Sequence, residues 1–181
     1  MINNQIIKEA KLGNNRAIEK LLLSEEDKLF HLILKMTMDF EDAKDILQET
    51  FLLAIKYLDR FKEESQFSTW IYRIAVNKTL NYLKRKKRER NIVINDCCRK
   101  MYDIKGLDND IISFELYKKM QEAIYELPEK YRLPFIMANM ENTSYSNIAT
   151  ILKIKKNTVK TRVFRARNML KDALKGYLNE M

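Results

Sequence analysis

The segment TSYSNIATILKIKKNTVKTRVFRARNML (143–170) decides the reading of the fold. Thr143 or Ser144 can cap a short helix, because a hydroxyl there accepts from the free amides of the first turn. Ile148, Ala149 and Leu152 recur at helical spacing and are expected to face inward, the small Ala149 letting a second helix cross closely. Lys153-Ile154-Lys155 forms the turn, with Ile154 as its apolar plug. A left-handed Lys153 would cost about 1 kcal/mol, a tolerable sum. Val159, Val163, Ala166 and Leu170 then recur as the buried stripe of a longer helix.

That packing turns the opposite face outward. Asn157, Thr158, Lys160, Thr161, Phe164 and Arg165 share it, and residues 153–175 hold nine basic side chains against one acidic, Asp172. A helix of this width fits the DNA major groove and presents its first turns to base edges. The cations suit a helix lying between two phosphate chains. The competing reading is an ordinary solvated basic face, common on Lys-rich helices.

Upstream of the motif, residues 111–127 read as helix, and Leu127-Pro128-Glu129 starts another, since Pro suits a first helical turn. Residues 91–110 lose helical periodicity around Gly106 and several Asn and Asp, and are expected to be a flexible linker. The clearest helix is FEDAKDILQETFLLAIKYLDR (40–60), with Ala43, Ile46, Leu47, Phe51, Ala54, Ile55 and Leu58 as one apolar stripe. The opposite face of its first half is acidic: Glu41, Asp42, Asp45 and Glu49. Residues 5–36 read as amphipathic helix interrupted at Gly13-Asn14-Asn15, with Ser24 expected to cap a second helix. After the polar stretch 62–66, Ser65 or Ser68 can cap a helix over about 69–90, with Trp70, Ile71, Ile74 and Ala75 facing the core.

Composition agrees. Three Gly and two Pro among 181 residues leave little turn chemistry for an all-β fold, and 46 % apolar content is enough for a core. The net charge of +9 is unevenly placed. Residues 1–69 carry 10 basic and 13 acidic side chains, whereas residues 70–90 carry 8 basic and 1 acidic. Residues 111–181 carry 13 basic and 7 acidic. Two separate cationic regions argue for two anionic contacts. Cys97 and Cys98 are adjacent, a poor geometry for a disulfide, and a single His leaves no zinc-type spacing. A reduced cytoplasmic compartment is expected. No apolar signal core or membrane-spanning run is visible, so no membrane insertion is expected. His31 lies in an apolar neighbourhood and reads as structural.

In FKEESQFSTWIYRIAVNKTLNYLKRKKRER (61–90), five aromatics adjoin a basic run in which six of residues 84–90 are cations. Single-stranded DNA is held by aromatic or apolar pockets for unstacked bases plus a cationic track for the backbone. The loop 61–69 and the face bearing Arg73, Asn77 and Lys84 can supply both. A core tryptophan helix with a solvated basic end is the competing reading.

Together, residues 41–88 and 127–170 resemble regions two and four of the extracytoplasmic-function (ECF) sigma factors of bacterial RNA polymerase. The resemblance implies an all-α chain of two small helical domains, 1–90 and 111–181, joined by the linker 91–110. It implies that Asp42, Asp45, Gln48 and Glu49 dock on core RNA polymerase. Phe61, Lys62, Ser65, Phe67, Ser68, Thr69, Arg73, Asn77, Lys84 and Arg85 would bind the melted minus-ten element. Asn157, Thr158, Lys160, Thr161, Phe164 and Arg165 would read the duplex minus-thirty-five element of promoter DNA. An anti-sigma protein is a further implied partner, and the linker is expected to thread the polymerase's active-site channel. The chain departs from the family pattern at Asn142 and Asn157, where Gly is frequent, and at Ser146 and Asn147, where an acidic pair is common.

No catalytic role, metal or cofactor is expected, since no nucleophile–base pair, metal cluster or phosphate-cradling Gly loop stands out. Two rival functions remain: a conventional helix-turn-helix regulator that does not act as a polymerase subunit, and a nuclease. The acidic face at 41–49 and the basic aromatic segment at 61–90 count against the first. The lack of a carboxylate cluster counts against the second.

Overall fold

The computed structural model describes residues 4–86, 111–141 and 143–179, with the side chains of 111–114 and 176–179 left aside. The linker, Cys97, Cys98 and Asn142 lie outside the described residues. The order is α1 (Asn4–Lys11), α2 (Asn15–Thr37), α3 (Phe40–Lys56), a 3₁₀ turn (Leu58–Arg60) and α4 (Phe67–Lys86). Then follow α5 (Ile111–Glu126), α6 (Glu129–Phe135), a π turn (Ile136–Met140), α7 (Tyr145–Leu152) and α8 (Lys156–Asn179). The fold is all-α, with no strand among the described residues. The chain divides into two compact units, one built from α1–α4 and the other from α5–α8.

In the first unit α1 packs on α2, and α2 on α4. The break between α1 and α2 falls where the sequence signals it. Gly13 takes φ +86, a conformation costly for any other residue, and Asn14 caps α2 by accepting from the amides of Arg16 and Ala17. Ser24 does not cap a helix. It lies inside a continuous α2 and donates its hydroxyl to the Leu21 carbonyl at 2.7 Å, because the buried face runs on past it from Ala17 and Leu21 through Glu25 and Leu29 to Ile33. His31 is half-buried beside Phe30, its Nδ1 2.6 Å from the Asp27 carbonyl oxygen. On α3, Ala43, Ile46, Leu47 and Ala54 are buried, as is Leu58 in the 3₁₀ turn, but Phe51 is half-buried and Ile55 exposed. The stripe therefore narrows toward the C-terminus of the helix. On α4, Ile71 and Ala75 reach the core while Trp70 and Ile74 stay half-buried.

In the second unit α8 is the spine on which α5, α6 and α7 pack. Pro128 precedes α6, and Pro134 within it interrupts the amide ladder. The π turn follows at once, closed by the Glu141 amide on the Ile136 carbonyl and the Thr143 amide on that of Met137. Val159, Val163, Ala166 and Leu170 are all buried, as their spacing requires. On α7 the buried pair is Ile148 and Ile151, with Ala149 and Leu152 only half-buried. The helix is thus rotated from the expected register, and Ile151 does the packing assigned to Leu152.

Candidate polymerase-docking and DNA-binding surfaces

The acidic face of α3 splits in two. Asp45, Gln48 and Glu49 are exposed at i, i+3 and i+4. Asp42 instead turns across the unit to the ammonium of Lys86, at the far end of α4, and both side chains are largely buried. Tyr82 joins this pair, and burial followed by the hydrogen bond to Asp42 pushes its phenol above the ordinary range. Glu49 pairs with Lys78 of α4. The acidic row continues into apolar surface that the sequence reading missed: Leu52 is 62 % exposed and Ile55 45 %. Ile55 has the spacing of a core residue, yet it is left outside.

The loop 61–66 is shaped by a cluster of rings. Phe61 meets Phe67 edge-on at 5.9 Å and Trp70 at 5.2 Å between centroids. Phe61, Phe67 and Thr69 are buried, so these three expected strand contacts offer little side-chain surface; the two rings set the shape of the loop. Lys62 is exposed, and Ser65 and Ser68 are partly so. Lys11 of α1 pins the loop from outside. Its ammonium pairs with Glu63 at 2.7 Å and sits 5.4 Å from the Phe61 ring centroid. Glu63 takes a left-handed φ of 59, and Lys11 holds its carboxyl below the usual range. Between α1, α2 and the loop lies a cleft of about 490 Å³. Ser65, Gln66 and Ser68 line it on one side, Asn4, Ile7 and Glu25 on the other. Sequence reasoning missed these last three, because nothing local joins residues forty or more positions apart.

Along α4, Arg73 is half-buried and Asn77, Lys84 and Arg85 are exposed, so a polar and then cationic track runs down the helix. Arg85 stacks 5.6 Å from the Tyr82 ring centroid. Lys86 belongs to the same basic run in sequence but faces inward to Asp42.

The second unit presents a convex site. Ser144 caps α7 by accepting from the Asn147 amide at 3.2 Å. Lys153 adopts φ 54 and ψ 44, the left-handed conformation the turn demands, and Ile154 is half-buried beside it. Asn157, Lys160, Thr161, Phe164 and Arg165 are exposed on α8, with Thr158 partly so. Phe164 stands 62 % exposed, a large ring with no intramolecular reason to be there. Thr161 donates its hydroxyl back to the Asn157 carbonyl, and its oxygen keeps the capacity to accept. Arg165 lies 3.5 Å from the Tyr131 hydroxyl and holds that phenol below its ordinary range. Arg167, absent from the sequence reading, is tied to Asn139 at 2.5 Å. Ser146 and Asn147 are exposed.

Among the described residues no group of three or more His, Cys, Asp or Glu is placed to hold a metal, and no helix is long and apolar enough to cross a membrane. The family model for Sigma-70 region 2 matches residues 21–89, and that for Sigma-70 region 4 matches residues 117–170. The chain is 32 % identical to the ECF RNA polymerase sigma factor SigW of Bacillus subtilis, over 97 % of this chain and 98 % of that one. Its fold is similar to that of CnrH, solved in complex with the cytosolic domain of CnrY, with a TM-score of 0.74 at 21 % identity over 97 % and 99 % of the two chains. It is similar as well to the sigma factor RpoE of Bartonella quintana, solved with the anti-sigma factor NepR, with a TM-score of 0.64 at 23 % identity over 87 % and 96 %. Two sigma family models in their order along the chain, and a relative matched from end to end, show that this chain belongs to the ECF family of RNA polymerase sigma factors and is an alternative sigma factor.

Proposed function

We propose that the chain works from the cytoplasm through two domains, 1–90 and 111–181 with 91–110 between them, each gripping core RNA polymerase and promoter DNA. The observation that carries this reading is the pairing of a concave, ring-lined cleft in one unit with a convex cationic helix in the other. Unstacked bases need a cavity, and duplex DNA needs a helix that fills its groove.

Asp45, Gln48 and Glu49, continued by Leu52 and Ile55, form the polymerase-docking face. Asp42 contributes indirectly, by fixing the start of α3 against α4. The cleft takes a base from the melted minus-ten strand, and Lys62, Ser65, Ser68, Arg73, Asn77, Lys84 and Arg85 hold the strand around it. The buried Phe61, Phe67 and Thr69 position the loop. Binding energy realised only with the open strand favours melting, so the chain needs no covalent chemistry of its own. Asn157, Thr158, Lys160, Thr161, Phe164 and Arg165 read the duplex minus-thirty-five element. The complex of Bartonella quintana RpoE with NepR supports an anti-sigma protein as a further partner.

Run-off transcription from a genomic fragment library, with bacterial core polymerase with and without this chain, tests the reading. New start sites that share two spaced upstream elements are expected. A chain that shifts duplex DNA alone yet neither binds core polymerase nor creates starts would be a conventional helix-turn-helix regulator.

A further inference from the structure

Glu25 is the most buried acidic residue among those described, at 6 % exposure. Several buried polar groups have partners within the fold, whereas Nε2 of the buried Gln121 in the second unit has none. Lys86 has Asp42, and Thr37, Thr50 and Thr79 donate their hydroxyls to carbonyls one turn back. Glu25 has no hydrogen bond among the described residues. Burial pushes its carboxyl above the usual range, opposed only by the charge of Lys28 one turn along. A carboxyl at a largely buried position with no donor from the fold takes its hydrogen bonds from what enters the cleft beside it.

The side chain lines the cleft between α1, α2 and the loop 61–68. At about 490 Å³ the cleft falls within the range of small-ligand sites, roughly 300–1,000 Å³. The buried side chains of Ile7, Phe61 and Phe67 supply its apolar wall, and Asn4 and Ser65 offer further polar atoms. Asn4 and Ile7, on α1, precede the segment that matches the sigma region 2 model. A cleft with an apolar wall on one part of its lining and a carboxyl acceptor on another suits a flat heterocycle that brings a donor.

We propose that Glu25 reads the base held in this cleft, accepting a hydrogen bond from an exocyclic amino group and so disfavouring thymine at one position of the melted strand. The proposal rests on the cleft being the minus-ten base site. Cytosine, adenine and guanine carry an amino donor on their pairing edge, and a carboxylate accepts from it. Thymine flanks its single N–H with two carbonyl oxygens, which a carboxylate repels.

The test uses holoenzyme assembled from core polymerase and the full chain, with a synthetic single-stranded DNA pool of randomised sequence as the probe. Sequencing the retained strands is expected to show one position where thymine is depleted about tenfold, the discrimination of one good base contact. Glu25→Gln, equal in shape, should shrink that depletion below about twofold while preferences at neighbouring positions persist. Wild-type holoenzyme offered a strand whose preferred base lacks only its amino group should lose the same factor, a readout independent of any folding defect in the variant. An unchanged preference in Glu25→Gln, or thymine ranked first at that position, overturns the role of Glu25. If wild-type holoenzyme shows no positional preference, and Ser65→Trp, which fills the cleft, leaves single-strand affinity unchanged, the base-site reading itself falls.

Discussion

The loop 61–69 and the helix α8 both carry aromatic and polar residues expected to touch DNA, yet they spend their aromatics in opposite ways. Phe61 and Phe67 are buried against each other and against Trp70, so their rings build the wall of a cavity. Phe164 stands out from a helix whose Val159, Val163 and Ala166 are fully packed beneath it. A concave site needs its rings inside to hold shape. A convex site gets its shape from the helix and can leave a ring free for contact. An aromatic near a cationic run therefore marks nucleic-acid binding in both places without saying whether the ring is the contact or its support.

The widest gap between the two regions should appear in stability. Phe67→Ala is expected to cost about 3–5 kcal/mol, as large buried aromatics do, and to collapse the cleft. Phe164→Ala should cost within about 0.5 kcal/mol and act on duplex binding alone. Urea denaturation followed by binding to tailed and duplex promoter fragments reads both. Equal destabilisation by the two variants would erase the distinction.

The next contrast lies inside one basic run. Removing Lys86 strands the largely buried carboxylate of Asp42, so Lys86→Ala is expected to lose about 2 kcal/mol of stability, below the full cost for a deeply buried pair because Asp42 keeps some solvent. Lys84→Ala should leave stability alone and lower the salt dependence of DNA binding, since an exposed cation acts through released counterions. Thermal melts and a salt titration separate the two.

On α8, Lys160→Ala or Arg165→Ala should weaken the upstream duplex element by about 1–3 kcal/mol where the side chain reads a base. A footprint over that element, with the downstream single-strand contact as internal control, measures it. Loss at both elements would mean the two surfaces do not act separately. The smallest effect belongs to the turn. Lys153 holds φ 54, so Lys153→Gly should gain about 0.5 kcal/mol by removing left-handed strain, visible as a modest rise in melting temperature.

Much of this was written locally. The break at Gly13-Asn14, the cap at Ser144, the left-handed position at Lys153 and the inward stripe of α8 follow from spacing and side-chain chemistry within a few residues. Failures came where a local rule lacked its partner. Ser24 has the chemistry of a cap but sits in a helix whose buried face runs on past it. Ile55 has core spacing, yet no element covers it. Ile151 displaces Leu152 because the crossing with α8 sets the rotation of α7.

The sequence by itself determined the helices, their order, the two cationic regions and the family, because periodicity, capping and motif order are properties of neighbouring residues. Only the tertiary structure decided which charged groups remain available. Asp42 and Lys86, 44 positions apart, neutralise each other, and Lys11 reaches 52 positions to hold the loop at Glu63. Glu25 becomes part of a cleft with residues from α1 and the loop 61–68. Such pairings depend on how helices cross, a long-range outcome that no spacing along the chain encodes.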